Sequence, residues 1–199
     1  MNQRSDGLFS RKAVCIGGVS GAGKTTMLRT HVECNARDLQ ITGSSVVKAV
    51  IAPATVQELD EWPLARRQEV REQSILELQR ILQSCEGHLL VDGHFTLRNR
   101  STGVLESIFT QEDKDFFHAL VLIHPDPEAV LAQRLSDDRQ RDLESVEQIA
   151  EHIAYERREG LRLASEMNVP FLEIAESCAE ARLRALEQFL HSLAEPEVA

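Results

Sequence analysis

The sequence predicts an α/β fold in which helices pack on a parallel sheet of five strands. Short apolar runs alternate along the chain with long stretches of helical periodicity, the pattern of repeated strand–helix–strand units with right-handed crossovers. The first apolar run closes on "GGVSGAGKTT", Gly17 to Thr26, which leads straight into a helix. Two later apolar runs end in polar residues, Asp92-Gly93-His94 and His124-Pro125-Asp126. In parallel sheets of this kind ligands bind beyond the carboxyl ends of the strands, so these three stretches are the candidate site.

Each element can be read in turn. "KAVCIGG" is apolar and bounded by glycine, as expected of a buried parallel strand. A helix is expected from Lys24 to about Ala36. "SVVKAVIA" is β-branched and reads as the second strand, closed by Pro53, with a short helix over Thr55–Glu61. Ile75, Leu78, Ile81 and Leu82 recur at helical spacing and predict a long helix over Ala65–Ser84. "HLLVDGH" is the third strand, 98–112 reads as irregular, and "HALVLIH" is the fourth strand. Pro127 opens the next helix at its first turn. It runs to about Leu135, and the charged break "SDDRQRD" follows. A long helix over Leu143–Met167, the strand "VPFLEIA" and a last helix ending near Leu193 complete the pattern. Residues 1–11 and the tail "AEPEVA" are expected to fray.

Composition narrows the function. A chain of 199 residues, 42% hydrophobic and 27% charged, buries a core of its own as one globular domain. A net charge of −10 argues against a nucleic-acid or membrane-surface binder, which needs a basic face. It leaves room for a small anionic ligand held by a local cluster of arginines. Cys15, Cys34, Cys85 and Cys178 show neither CxxC pairing nor metal spacing and read as free thiols of a reducing cytoplasm. No apolar run reaches the ~18 residues of a membrane span, and Met1–Lys12 has no signal-peptide core.

Gly18 to Thr25 fits G-x-x-x-x-G-K-[ST] without a mismatch. Such a loop must wrap phosphate oxygens closely and aim backbone N–H groups at them, and side chains would obstruct that approach. Gly18, Ser20, Gly21, Ala22, Gly23, Lys24, Thr25 and Thr26 are therefore the candidate nucleotide-binding residues. Lys24 is placed to reach the β- and γ-phosphates of ATP, and the Thr25 hydroxyl to ligate Mg²⁺. Asp92 ends an apolar strand, where a carboxylate is costly unless it serves the cleft. It is the second candidate Mg²⁺ group, acting through water, or else a structural carboxylate bonded to a neighbouring loop. His94 either orients a water or a phosphate or packs at a strand end.

"GGVSGAGKTT", "LLVDGH" followed by Arg98, and "RLSDDRQRD" together resemble the archaeal-type adenylate kinases, small P-loop nucleoside monophosphate kinases, over about residues 13–175. The resemblance implies a three-layer α/β/α P-loop fold around a five-stranded parallel sheet. It implies phosphoryl transfer from MgATP to AMP or a similar acceptor. It also implies an acceptor-binding segment over about 43–86 and a lid over about 136–142. Arg98 matches the arginine that holds the acceptor phosphate, with His94 beside it. Arg134, Arg139 and Arg141 match arginines near the lid, and Arg157 the one on the helix after it. With Lys24 and Asp92, these four form the candidate catalytic set.

The sequence adds its own argument for Arg157. Ile149, Ile153, Arg157 and Leu161 step by four, which puts a guanidinium on an apolar stripe, where it needs an anion. That anion is a ligand phosphate or an internal carboxylate. Arg139 and Arg141, flanked by Asp137, Asp138 and Asp142, read either as phosphate ligands or as a solvated loop. Two stretches depart from the family pattern. Pro63 in "LDEWPLARRQEV" stands where the family carries an AMP-fixing arginine, with Arg66 or Arg67 as the substitute, and "ITGSSVVK" is unlike the usual acceptor-side sequence. The acceptor is then AMP, another small molecule, or none, the last being an ATPase-type switch acting through a protein partner.

Overall fold

The computed structural model describes residues 11–99, 102–136 and 144–194. Five strands form one parallel sheet: β1 (Ala13–Gly17), β2 (Leu39–Thr42), β3 (Leu89–Asp92), β6 (Ala119–Ile123) and β7 (Phe171–Ile174), in the order β2-β3-β1-β6-β7. The central strands β1, β3 and β6 are buried throughout, as a parallel sheet covered on both faces requires.

Side-chain alternation divides the core in two. Val14, Ile16, Leu90, Val121 and Ile123 enter one apolar cluster with Leu28 of α1 (Lys24–Cys34) and Leu186 of α8 (Ala179–Ala194). Ala13, Cys15, Leu89, Val91, Leu120 and Leu122 enter the other. There they meet Val46 of α2 (Gly43–Ile51), Ile75 and Leu78 of α4 (Leu64–Ser84), and Phe116 of α5 (Gln111–Phe116). Each fully buried Leu or Ile contributes about 1.5–3 kcal/mol, so this two-faced burial is the main source of stability. The α/β, three-layer expectation holds.

Two local expectations change. "SVVKAVIA" is not a strand: Gly43–Ile51 is helix α2, and the second strand is Leu39–Thr42. Strand β2 pairs with β3 from Leu39↔Leu89 to Thr42↔Asp92, where β3 itself ends. The chain has run out of strand partner when it reaches the β-branched run. That run then packs on α4 through a helical face carrying the buried Val46 and Ile51, an override of weak β-propensity by tertiary contacts. The irregular stretch 98–112 holds the end of β4 (Thr96–Arg98), its antiparallel partner β5 (Leu105–Ser107) and the start of α5. The short helix α3 (Val56–Asp60) and α6 (Pro127–Ser136) appear as expected. So does α7 (Val146–Met167), capped by Ser145 with Gln148 and ended by Asn168 in the left-handed region. Residues 1–10, the tail from 195, and 137–142 of the expected lid lie outside the described residues.

One buried ion pair ties α4 to α5. Asp113 is fully buried and takes two hydrogen bonds from the Arg71 guanidinium, at 2.9 and 2.7 Å, and two from Thr110. Replacing Asp113 strands the Arg71 charge and uncaps α5. Asp113→Ala is therefore expected to lower unfolding free energy by about 3–5 kcal/mol in urea titration, and a loss below about 1 kcal/mol contradicts this role.

Candidate active site

Strand β1 ends at Gly17, and the chain turns sharply over β6 before entering α1. Gly18 has φ 131°, and a Cβ there would stand 2.8 Å from the Ile123 carbonyl oxygen. Gly23 has φ 88° and forms the N-cap of α1, which has no side-chain cap. The first-turn N–H groups of α1 have no partner within the helix, and Ser20, Thr25 and Thr26 beside them are exposed. The helix dipole adds positive potential at that point. Gly21 and Ala22 complete the loop, and the Ala22 carbonyl accepts from Arg182 of α8 at 3.0 Å. This loop fits a phosphate chain.

Lys24 is buried at the floor of the loop. Its Nζ donates to the Gly18 and Val19 carbonyls at 2.6 and 3.2 Å and lies 3.9 Å from Asp92. Burial pushes its ammonium below the usual lysine range, against the opposing pull of Asp92 and Glu156. The Thr25 hydroxyl donates to Asp92 at 2.5 Å. Thr25 and Asp92 thus bring one hydroxyl and one carboxylate together. Among the described residues no group of three or more His, Cys, Asp or Glu side chains could hold a metal by itself. A hydroxyl, one carboxylate and substrate phosphates are the oxygen set that suits Mg²⁺, so these residues fit that ion.

Two arginines reach the same rim. Arg134 on α6 is 9% exposed, and its Nε donates to the Ser20 carbonyl at 2.8 Å. Its Nη1 pairs with Glu144 at 2.5 Å. Arg98 on β4 pairs with Glu144 at 3.2 Å and Glu151 at 3.1 Å, and donates to the Gly103 carbonyl at 2.8 Å. Arg139 and Arg141 lie outside the described residues.

Arg157 does not lie on an inward face. It is 48% exposed and bonded through Nε to Glu173, which also holds His124. Steps of four drift around a 3.6-residue helix, so the stripe from Ile149 has turned to solvent by Arg157 and Leu161, the latter 41% exposed. Mixed steps of three and four keep the buried face, through Ile149, His152, Ile153, Glu156 and Gly160.

Glu156 is the inward charge. It is fully buried and accepts from the backbone N–H groups of Phe95 and Thr96 at 3.0 and 3.4 Å, clamping the segment after Asp92. The Nδ1 of His94 stands 3.5 Å from it, too far for a good hydrogen bond. Burial and the Lys24 charge hold the His94 imidazole below its usual pKa, against the pull of Glu156 and Asp92. His94 Nδ1, Thr96 Oγ1 and His152 Nε2 are buried without a hydrogen-bond partner among the described residues. Sequence reasoning missed Glu144, Glu156 and Arg182; a helical wheel over α7 with mixed spacing would have found Glu156.

Comparisons with known proteins bear on the whole chain. Residues 17–150 match a family model described as "AAA domain". No curated protein matches. Among solved structures, shikimate kinase from Bacteroides thetaiotaomicron superposes with a TM-score of 0.60 at 16% identity, covering 92% of this chain and 99% of that one. Shikimate kinase from Acinetobacter baumannii, solved with shikimate, gives 0.58 at 18% identity, covering 97% and 100%. At such identities the likeness is one of fold, a P-loop kinase fold. No helix among the described residues is long and apolar enough to cross a membrane. With more than half of its length matched, the chain belongs to this AAA-domain family of P-loop proteins.

Proposed function

We propose that this protein transfers a phosphoryl group from ATP to a small-molecule acceptor, a nucleoside monophosphate and foremost AMP. The observation that carries this is the convergence of Lys24, the Thr25–Asp92 pair and the two arginines Arg98 and Arg134 on one rim. Phosphoryl transfer asks the protein mainly for alignment and charge neutralisation. The α1 amides and Lys24 hold the donor phosphates. Thr25 and Asp92 hold Mg²⁺, which neutralises phosphate charge when bound. Arg134 approaches from the donor side of the loop and Arg98 from the β4 side, where it fixes the acceptor.

A cavity of about 540 Å³ lies between α2, α3 and α4, inside the proposed acceptor segment. Its wall is apolar at Val50, Ile51 and Val70 and carries the carboxylates Glu58 and Glu69, and among the described lining residues the cation is Arg66, whose guanidinium lies 3.8 Å from the centre of the Trp62 ring. An aromatic face with one movable cation suits a planar base or ring. This supports Arg66 as the substitute for the family arginine at Pro63.

The test is an acceptor panel. ATP is supplied with AMP, with other nucleoside monophosphates, with shikimate because the solved relatives are shikimate kinases, and with no acceptor. ADP formation in excess of the no-acceptor rate identifies the acceptor, and hydrolysis indifferent to all of them rejects the kinase in favour of an ATPase-type switch. Lys24→Ala is expected to cut the acceptor-dependent rate by two to three orders of magnitude, that is by about 100- to 1,000-fold. Arg98→Ala is expected to raise the acceptor KM by about tenfold or more while moving the ATP KM by less than about twofold, and equal changes in both remove Arg98 from the acceptor side. Trp62 is the chain's single tryptophan. Its emission should shift when the acceptor is added and stay constant with ATP alone; the reverse pattern dissociates the cavity from the acceptor.

A further inference from the structure

Both rim arginines already hold an anion, and it is the same one. Glu144 Oε2 lies 2.5 Å from Arg134 Nη1, and Glu144 Oε1 lies 3.2 Å from Arg98 Nε. The Glu144 side chain is 18% exposed, that of Arg134 7% and that of Arg98 26%, so the triad is partly withdrawn from water. Burial works to raise the Glu144 carboxyl, but the hydrogen bond and charge of Arg134, with Arg98 behind it, hold it below the usual carboxylate range. The two cations are not held equally. Arg98 has a second carboxylate, Glu151, whereas the other bond recorded for Arg134 is to the neutral Ser20 carbonyl.

We propose that Glu144 is an internal surrogate for phosphate, a latch that occupies Arg134 and Arg98 in the unliganded protein and is displaced when a phosphate ligand arrives. A carboxylate offers a guanidinium the same paired oxygens as a phosphate at lower charge. It therefore satisfies the arginines between turnovers and loses them to a ligand of higher charge. The ligand must first break the Glu144–Arg134 pair, so the latch lowers apparent affinity by the cost of that exchange. The proposal rests on the donor reading above and adds what competes with the donor.

Calorimetric titration of Mg²⁺ and ATP into four proteins tests it: wild type, Glu144→Gln, Arg134→Ala and the double variant. Glu144→Gln is expected to tighten ATP binding by about tenfold, because it leaves Arg134 without its anion. It is also expected to lower the melting temperature of the unliganded protein while enlarging the rise produced by ATP. In the Arg134→Ala background the Glu144→Gln effect on affinity should vanish, since the competition has lost its object. If wild type binds ATP and Glu144→Gln binds equally or more weakly, Glu144 instead positions the arginine and the latch is wrong, while the donor reading stands. Should wild type fail to bind and Glu144→Gln succeed, the latch is upheld in a tighter form. Failure of both to bind overturns donor reading and latch together. Glu144→Ala guards against the glutamine amide replacing the lost bond and should behave as Glu144→Gln does.

Discussion

The site depends on one register in the sheet. Ile16 of β1 stands opposite Asp92 of β3, and the Gly93 N–H closes the step by donating to the Ile16 carbonyl. That alignment brings the end of β3 level with the start of the phosphate loop. The first turn of α1 then lies beside a carboxylate, and the Thr25 hydroxyl meets Asp92. Parallel strands fix such heights strongly when both faces are buried, because a slip of one residue would turn every core side chain to the wrong cluster. Ala13 and Cys15 belong to one cluster, Val14 and Ile16 to the other, so β1 has no alternative register that keeps its core.

The charge of the chain gains meaning from that geometry. A protein of net charge −10 does not attract polyanions by its overall field. It gathers Lys24, Arg98 and Arg134 at one rim and supplies each with an internal acceptor: loop carbonyls for Lys24, Glu144 and Glu151 for the arginines. The cations are thereby kept from leaving a buried or half-buried charge unpaired, which is the costly alternative.

The sequence made some of this legible and hid the rest for identifiable reasons. The loop was readable because its chemistry is local: glycines, a lysine and a threonine at fixed spacing, all within one βα turn. Asp92 was readable because a carboxylate at the end of "LLVD" conflicts with its apolar neighbours. The edge of the sheet was not readable, because "DLQIT" has little apolar signal while the run after it has a strong one. What decides β2 is pairing to β3, a contact some fifty residues away in sequence. Glu144 was hidden for a related reason. Its partners lie on α6 and β4, and no local pattern marks a carboxylate that pairs across elements.

Helix α7 shows how far a small error in period reaches. Counting by fours selected Arg157 and passed over Glu156, one residue earlier and about 100° around the helix. The difference matters because a fully buried carboxylate is kept only where it is hydrogen-bonded and does something an apolar residue cannot. Glu156 grips the Phe95 and Thr96 amides directly after Asp92-Gly93-His94. Two residues before the helix begins, Glu144 grips the arginines. The helix itself carries Glu156, the clamp on the segment after β3, and Glu151, one of the two carboxylates on Arg98, while Glu144 stands just before its first turn. Helix α7 therefore grips the segment after β3 through Glu156 and the end of β4 through Glu151, two contacts that an apolar side chain at either position would not make.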